Sequence, residues 1–363
     1  MAKNNTSRGK WFFSYLFWPL VALVTFGLTR LFEKYPGVTE SFYSGGVYPF
    51  VGKSLSVISS LVPFSLSDIF YAIIAIGILV LFILLILRRI TLGRWAGTMV
   101  STAAILYILF YWFWGFNYFR QPIHDRIGLN HAQPDDRQFM HVFAGIVNTA
   151  NQTRPDSMEV ADLASLDSAI EQSYRRFAQF LEIGYPMGVR RPKQVIAGSF
   201  FAKAGISGYY GPFFNEVHLN GKMHPLEMPI VMAHEKAHQF GITSEAETSF
   251  YGWLVCYYSD NEVLRYSASL YAIRYFLNDG FRREGFQQVA DMISYPVVLD
   301  LRSIRDHWLS MRVEKIDKAA SKVNDAYLKS NKVKKGVLDY QGVTGLIMDF
   351  QSDPSAVVRV LVE

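Results

Sequence analysis

The chain has 363 residues, half of them apolar, and a formal net charge of +5. The basic excess lies in residues 1–122, which hold ten Lys or Arg against three Asp or Glu, a net +7; residues 123–363 hold 26 against 28, a net −2. This distribution, together with the lack of a phosphate-binding loop or nucleic-acid motif, argues against a nucleic-acid partner. The single cysteine, Cys256, excludes an internal disulfide framework.

Three long runs in the first third of the chain contain no Asp, Glu, Lys or Arg: Trp11–Thr29, Ile69–Leu87 and Trp95–Phe119. A helix that crosses a bilayer needs about 20 such residues. The runs therefore predict three transmembrane helices, at about 11–30, 68–87 and 96–118. Trp114, near the end of the third run, suits an aromatic belt at the membrane surface. We expect residues 1–122 to form a membrane domain in contact with the lipid bilayer.

The basic residues predict the orientation of these helices. They lie before the first run and in the loop between the second and third: Lys3, Arg8, Lys10, Arg88, Arg89 and Arg94. Because cytoplasmic segments carry the excess of Lys and Arg, both segments are expected in the cytoplasm. The first run lacks a small-residue cleavage site and is expected to stay as an anchor. The protein is then a multi-pass cell-membrane protein whose domain of residues 123–363 is extracytoplasmic.

Periodicity after the third run predicts a mainly helical domain with a short strand element. Residues 135–152 and 159–184 alternate polar and apolar positions at helical spacing, and the chain is again helical from Glu245 nearly to its end. The segment RRPKQVIAGS leads into a short strand, and Glu216–Leu219 forms another. The second strand is interpreted either as an edge that pairs with an extended substrate or as an ordinary edge strand.

The stretch PIVMAHEKAHQF predicts a helix with two histidines on one face. Pro229 suits its first turn and Gly241 its end. His234 and His238 stand one turn apart, so both imidazoles can reach one zinc ion. Glu235 lies beside that face, where a carboxylate can take a proton from water activated by the metal.

A catalytic zinc site needs a third protein ligand, and two glutamates follow the motif. Ser244 and Glu247 have the spacing of a capping box, in which Glu247 would bond the amides of its own helix. Glu245 shares a face with small residues: Thr248, Ser249, Gly252 and Cys256. Such a face lets two helices approach closely and favours Glu245 as the ligand over Glu247.

Other residues near the motif have less specific expectations. Lys236 inside the motif is expected to point to solvent, and Ser249 is either a hydrogen-bond partner of a ligand imidazole or a small packing residue. Arg265 or Tyr266 could stabilise a developing oxyanion, although packing roles are commoner. The remaining histidines lack ligand spacing, and His224 alone could line the cleft.

Several stretches resemble an uncharacterised bacterial membrane family known as domain of unknown function thirty-eight ten. They include FYWFWGFNYFRQP, GYYGPFFNEVHLN, AHEKAHQFGITSEAETSFYGWL and RYSASLYA. The resemblance implies a membrane-anchored zinc metallopeptidase of the HExxH type, with His234, Glu235 and His238 at the motif positions and a zincin-like domain. Family members tend to read Leu in place of Lys236 and Asn in place of Ser249.

The sequence thus supports two hypotheses. The first is a zinc peptidase in which His234, His238 and Glu245 hold Zn²⁺ and Glu235 is the general base, acting on a peptide or protein substrate that the sequence does not identify. The second is a non-catalytic membrane protein with a structural or degenerate metal site that works through a partner. A protease with its ligands inside the membrane is excluded by the charge of the motif segment.

Overall fold

The computed structural model describes residues 5–155, 162–185 and 188–362. Three of its helices are long and apolar enough to cross a membrane, over Tyr15–Lys34, Leu66–Ile86 and Leu92–Phe113, which confirms the three predicted spans. The helices of this first part are α1 (Asn5–Lys34), α2 (Pro36–Val38), α3 (Tyr48–Ser60), α4 (Leu66–Ile86) and α5 (Leu92–Phe113). A π-helical segment, Thr39–Val47, joins α2 to α3.

The third span ends earlier than predicted. After Phe113 the backbone leaves the helix at Trp114 and forms a 3₁₀ turn over Gly115–Phe119. Phe116 and Phe119 of this turn are buried, and Phe116 contacts Tyr43, in the segment that connects the first two spans, at 5.2 Å between ring centroids. Trp114 is only 3% exposed, so its predicted place in a lipid-facing belt is wrong.

The rest of the described chain is mainly helical, as predicted. Its first helices and its strands are α6 (Ile123–Ile127), α7 (Asp136–Thr153), α8 (Leu163–Arg176), β1 (Lys193–Gln194), α9 (Gly198–Lys203), β2 (Gly208–Gly211) and β3 (Glu216–Leu219). The helices that follow are α10 (Met228–Gln239), α11 (Glu245–Tyr257), α12 (Glu262–Gly280), α13 (Phe286–Ala290), α14 (Tyr295–Met311), α15 (Glu314–Ser330), α16 (Val343–Gln351) and α17 (Pro354–Val362). Two 3₁₀ segments, Pro225–Glu227 and Gly336–Gly342, precede α10 and α16.

Two predicted elements differ from the structure. The helix predicted at 159–184 ends at Arg176, because the next residues form a turn that buries Phe177 and Leu181 completely; residues 159–161 lie outside the described part. The strand Glu216–Leu219 has the predicted bounds but is not an edge. It is the central strand of a three-stranded sheet, parallel to β1 and antiparallel to β2, so its backbone cannot pair with a substrate.

One hydrophobic core fills the helical part, and α10 runs through it. Helices α8, α11 and α12 and strands β2 and β3 pack on α10, whose Ala233 and Ala237 are completely buried. Helix α7 packs on α12, and α16 packs on α11. The membrane helices attach directly to this core. Glu216 of β3 accepts hydrogen bonds from the first backbone N–H groups of α4, and Trp114 after α5 donates to the carbonyl of His238 at 2.9 Å. The motif helix therefore lies where the third span ends.

Candidate metal centre

Helix α10 presents its two histidines toward the same side, as the spacing predicts. Pro229 lies in its first turn, and Gly241 reverses the chain just beyond its end with φ = +84°, a left-handed conformation that favours glycine. The rings of His234 and His238 are 5.0 Å apart between centroids and nearly perpendicular. With the rings in this edge-to-face arrangement, the Nε2 atoms of both histidines approach the same neighbouring oxygen.

Helix α11 supplies that oxygen. Ser244 caps its first turn, accepting a hydrogen bond from the backbone N–H of Glu247 at 3.4 Å. A Cβ atom on Gly252 would lie 3.0 Å from the backbone N of His234, so only glycine lets α11 approach α10 this closely. The close approach places Glu245 Oε2 at 3.2 Å from His234 Nε2 and 3.4 Å from His238 Nε2.

The three side chains fit a metal ion better than they fit one another. Neither contact between Glu245 Oε2 and a histidine has hydrogen-bond geometry, and this buried oxygen has no hydrogen-bond partner among the described residues. One ligand atom from each of His234, His238 and Glu245 lies within 4.8 Å of the others. Two imidazole nitrogens and one carboxylate oxygen are the donor set of a zinc site that keeps a fourth position open.

The second nitrogen of each imidazole is already engaged. His238 Nδ1 donates to the carbonyl of Ile242 at 2.8 Å, and His234 Nδ1 lies 3.2 Å from Ser249 Oγ. Tyr271 OH donates to the same serine oxygen at 2.9 Å. Hydrogen bonds of this kind fix the tautomer that leaves Nε2 with a free lone pair, which is the form that binds metal. Ser249 therefore contacts a histidine of the cluster, one of its two predicted roles.

The electrostatics of the cluster favour a positive charge between the three side chains. Burial by itself raises the pKa of Glu245, but the nearby imidazoles, His238 above all, outweigh it and hold this pKa far below its usual range. Burial by itself lowers the pKa of His238, and the charge of Glu245 outweighs it and raises this pKa to about 9. A carboxylate that stays charged in a buried site is stabilised by a proton or by a cation at the same place.

Glu235 is buried next to the cluster and under the sheet. Its burial raises the pKa of its carboxyl group above the ordinary value, while His234 and His238 act in the opposite direction. A Cβ atom on Gly208 of β2 would lie 3.1 Å from Glu235 Oε1. The backbone of β2, with no side chain at Gly208, therefore lies directly against the Glu235 carboxylate. The raised pKa of Glu235 suits a group that takes up a proton and then returns it.

The second glutamate of α11 has a different partner. The carboxylate of Glu247 forms an ion pair with Arg126, whose side chain is 1% exposed, and it accepts a hydrogen bond from the backbone N–H of Ile123. Ser244 does cap the helix, but Glu247 does not complete a capping box. Its carboxylate instead joins α11 to the segment that follows the third span.

Lys236 does not point to solvent, contrary to the prediction. It is completely buried on the side of α10 opposite the histidines, because α8 packs there. Its Nζ lies 2.7 Å from Asp167 and 2.5 Å from Glu171, and it donates to the carbonyl of Arg190 at 3.0 Å. The cation is therefore neutralised within the core, on the face of α10 away from the candidate metal ligands.

Neither predicted oxyanion donor belongs to the cluster. Tyr266 donates its hydroxyl proton to Asp300 on α14, and Arg265 pairs with Glu262 on its own helix at 3.8 Å. His224 is hydrogen-bonded to Ser303 at 3.0 Å and caps the 3₁₀ segment before α10, so its side chain has partners other than the cluster.

The structure adds three residues that the sequence did not assign to the site. Tyr340 lies parallel to the ring of His234 at 6.2 Å, Tyr271 supports Ser249, and Trp114 holds the carbonyl of His238. Burial, with the charges of Glu245 and Glu235, raises the pKa of Tyr340 well above its ordinary value, so its hydroxyl keeps its proton. The signal for Tyr271 was its place in the stretch RYSASLYA, but no local spacing ties Tyr340 or Trp114 to the motif.

A protein-family model described as "Protein of unknown function (DUF3810)" matches residues 43–348, which is well over half of the chain. This match confirms the family resemblance seen in the sequence. No curated protein and no solved structure matches.

Proposed function

We propose that the chain, which belongs to the DUF3810 family, is a membrane-anchored, zinc-dependent metallopeptidase. The observation that carries the proposal is the convergence of His234 Nε2 and His238 Nε2 on a buried oxygen of Glu245 that lacks a hydrogen bond. These three residues would hold the ion. Zinc bound there supplies Lewis acidity, which polarises a carbonyl group and makes water more acidic.

The neighbouring side chains supply the proton transfers that peptide hydrolysis needs. Glu235 accepts a proton from the attacking water and returns it to the amine that leaves when the C–N bond breaks, so the products are one carboxylate and one amine. Tyr340 is the donor that best fits the developing oxyanion, since its hydroxyl stays protonated beside the His234 ring. Lys236 does not weigh against this role, because its charge is paired on the far side of α10.

The orientation belongs to the same proposal. Three helix ends face the domain: the end of α1, the start of α4 and the end of α5. The loop at the opposite ends of α4 and α5 carries Arg88 and Arg89, and Arg94 follows in the first turn of α5. Because basic loops stay in the cytoplasm, we place the N-terminus there and the metal centre outside. The substrate is then a peptide or protein of the cell envelope.

Zinc-dependent cleavage of a peptide mixture tests the activity. The full chain, purified in detergent and loaded with zinc, is incubated with peptides of mixed sequence, and products are identified by mass spectrometry. We expect new peptide termini with wild type and at least a 100-fold loss with Glu235→Gln. Glu262→Gln, on the exposed surface of α12, is the matched control and should keep the activity. Equal cleavage by wild type and Glu235→Gln would contradict the proposal.

A further inference from the structure

The β-sheet separates the domain-side ends of the second and third membrane helices. Side chains alternate between the two faces of a strand. On one face, Glu216 accepts hydrogen bonds from the first residues of α4, and His218 Nε2 lies 2.7 Å from Ser65 Oγ. On the other face, Tyr210 packs against Trp114, which follows α5, with ring centroids 5.1 Å apart. Helices in direct contact lie about 8–10 Å apart, whereas here a sheet lies between the two ends.

At their opposite ends the same two helices meet. The rings of Phe82 on α4 and Trp95 on α5 are 5.1 Å apart, next to the short connection between the helices. Toward its domain-side end, α5 packs on α1 and not on α4, as in the contact of Trp112 Nε1 with Thr25 Oγ1 at 3.4 Å. The most apolar stretch of α4 contains no buried residue. Helices α4 and α5 therefore diverge from this contact, and the space between them is a wedge that is closed at one membrane face and widens toward the β-sheet at the other.

The open end of the wedge is lined by tyrosines that lead to the ligands. Tyr71 on α4 is 39% exposed and packs against Phe213 in the turn between β2 and β3. Tyr327 on α15 is 41% exposed and accepts a hydrogen bond from Tyr118 at 3.2 Å. Tyr118 packs in turn against Trp114 with ring centroids 5.2 Å apart, and the Trp114 ring lies 6.1 Å from that of His238. A row of aromatic contacts thus leads from the open end of the wedge to a proposed metal ligand.

We propose that the wedge between α4 and α5 admits the acyl chain of a lipid-anchored polypeptide, whose peptide segment then reaches His234, His238 and Glu245. A transmembrane helix of a substrate would not fit, because it crosses both leaflets and the contact of Phe82 with Trp95 closes the wedge in one of them. An acyl chain fits, because it occupies a single leaflet and packs on apolar walls. The inference names the substrate class and rests on the proposed function for the reaction, but acyl binding itself does not depend on catalysis.

Photo-labelling tests the binding without relying on hydrolysis. The full chain carrying Glu235→Gln, in lipid nanodiscs, is mixed with a palmitoylated ten-residue peptide that bears a photoreactive diazirine in the acyl chain. Labelled segments are mapped by mass spectrometry. We expect label on α4 near Tyr71 and on α15 near Tyr327. An excess of the same palmitoylated peptide without the diazirine should reduce this labelling at least fivefold. The same peptide without the acyl chain, or an apolar transmembrane peptide, should leave the labelling unchanged.

A pair of matched variants locates the binding surface. Tyr71→Lys should lower the labelling at least fivefold, because it places a charge in the open end of the wedge. Ile73→Lys introduces the same charge two residues further along α4, on about the opposite face, and should keep the labelling within twofold. Both variants are first checked for unchanged zinc content. An equal loss in both, or label spread over all three membrane helices without competition, would overturn the proposal.

Hydrolysis of the same peptides separates this proposal from the proposed function. With wild type, we expect the palmitoylated peptide to be cleaved at least tenfold faster than the unacylated one. Equal rates for the two peptides would overturn the acyl-chain proposal and leave the peptidase standing. Specific labelling without cleavage of either peptide would support the wedge as an acyl-chain site and contradict the peptidase.

Discussion

At the residue scale, the two glutamates that open α11 are separated by one position and have unrelated partners. Glu245 faces the two imidazoles, while Glu247 points about 200° around the helix to the buried guanidinium of Arg126. The side chains have the same chemistry, so their roles follow from the face of α11 that packs on α10.

Replacing each glutamate by glutamine should separate metal binding from stability. We expect Glu245→Gln to lose the zinc, because a neutral amide is a much weaker ligand between two imidazoles. Glu247→Gln should keep the zinc but lose about 3 kcal/mol of stability, since Arg126 remains buried without its counter-charge. Zinc content by mass spectrometry and the thermal unfolding midpoint measure the two effects. Loss of zinc in Glu247→Gln alone would reverse the assignment.

The ion pairs behind α10 predict a dependence of stability on pH. Burial raises the pKa of Glu171, but Lys236 and Arg190 outweigh it and lower this pKa to about 2. A carboxyl group with a depressed pKa stabilises the fold above its ordinary pKa, and this contribution is lost as the pH falls toward the folded value. The shift corresponds to about 3 kcal/mol.

We therefore expect the stability difference between wild type and Glu171→Gln to be largest above about pH 5 and to shrink toward pH 2. Thermal unfolding midpoints at a series of pH values measure it. Glu262→Gln, at an exposed site, provides the control and should follow wild type throughout. A difference that stays constant down to pH 3 would show that the Glu171 carboxylate is not what stabilises this face of α10.

Lys236 shows where residue-level sequence reasoning ends. Its spacing from the histidines correctly places it on the other face of α10, but spacing cannot tell whether that face is solvent or core. The answer depends on α8, about 65 positions earlier in the chain, which brings Asp167 and Glu171 to the lysine. A buried lysine is tolerated only when such partners are present.

At the scale of elements, the site depends on the turn that reverses the chain between α10 and α11. Gly241 has φ = +84°, and a Cβ there would lie 2.8 Å from the ring of Tyr48. Tyr48 belongs to the segment between the first two membrane helices, and its hydroxyl donates to the carbonyl of Gln239 at 2.8 Å. The membrane part therefore packs on the turn that sets α10 and α11 side by side.

Gly241→Ala should destabilise the protein by about 1–2 kcal/mol, through the left-handed backbone and the clash with Tyr48. Gly145→Ala is the matched control: this glycine lies inside α7 and a Cβ there meets nothing within 4 Å. Alanine favours a helix, so the control should be neutral or slightly stabilising. Thermal unfolding of both variants measures the effect, and equal midpoints would show that the turn tolerates a side chain.

The local elements of the motif were predictable from sequence, and their neighbours were less so. Helix α10 begins and ends close to the proline and glycine that mark its limits, and the strand Glu216–Leu219 has its predicted bounds. Its central position in the sheet could not be predicted, because β1 and β2 are only two and four residues long and carry little periodicity. The tyrosines around the ligands come from distant elements, which no local pattern connects.

At the scale of the whole molecule, the membrane helices are built into the site rather than tethering it. Trp114, directly after α5, bonds the carbonyl of a histidine of the motif, and the start of α4 is capped by the central strand of the sheet. We expect the isolated segment from residue 123 onward to bind metal poorly, since it lacks these contacts.

A reporter enzyme that folds only outside the cytoplasm tests the orientation. Fused after Glu363, it should be active, because three crossings from a cytoplasmic N-terminus place this end outside. Fused after Arg89, in the loop between the second and third helices, it should be inactive. Activity with the second fusion and none with the first would invert the topology and place the metal centre in the cytoplasm.

Metal content of the purified full chain tests the central claim most directly. Wild type, His238→Ala and Glu235→Gln are purified without chelators, and bound metals are quantified by mass spectrometry. The account predicts close to one zinc per chain in wild type and in Glu235→Gln, and its loss in His238→Ala, since the histidine is a ligand and this glutamate is not. No metal in any of the three proteins, or zinc that persists in His238→Ala, would contradict a zinc centre at these residues.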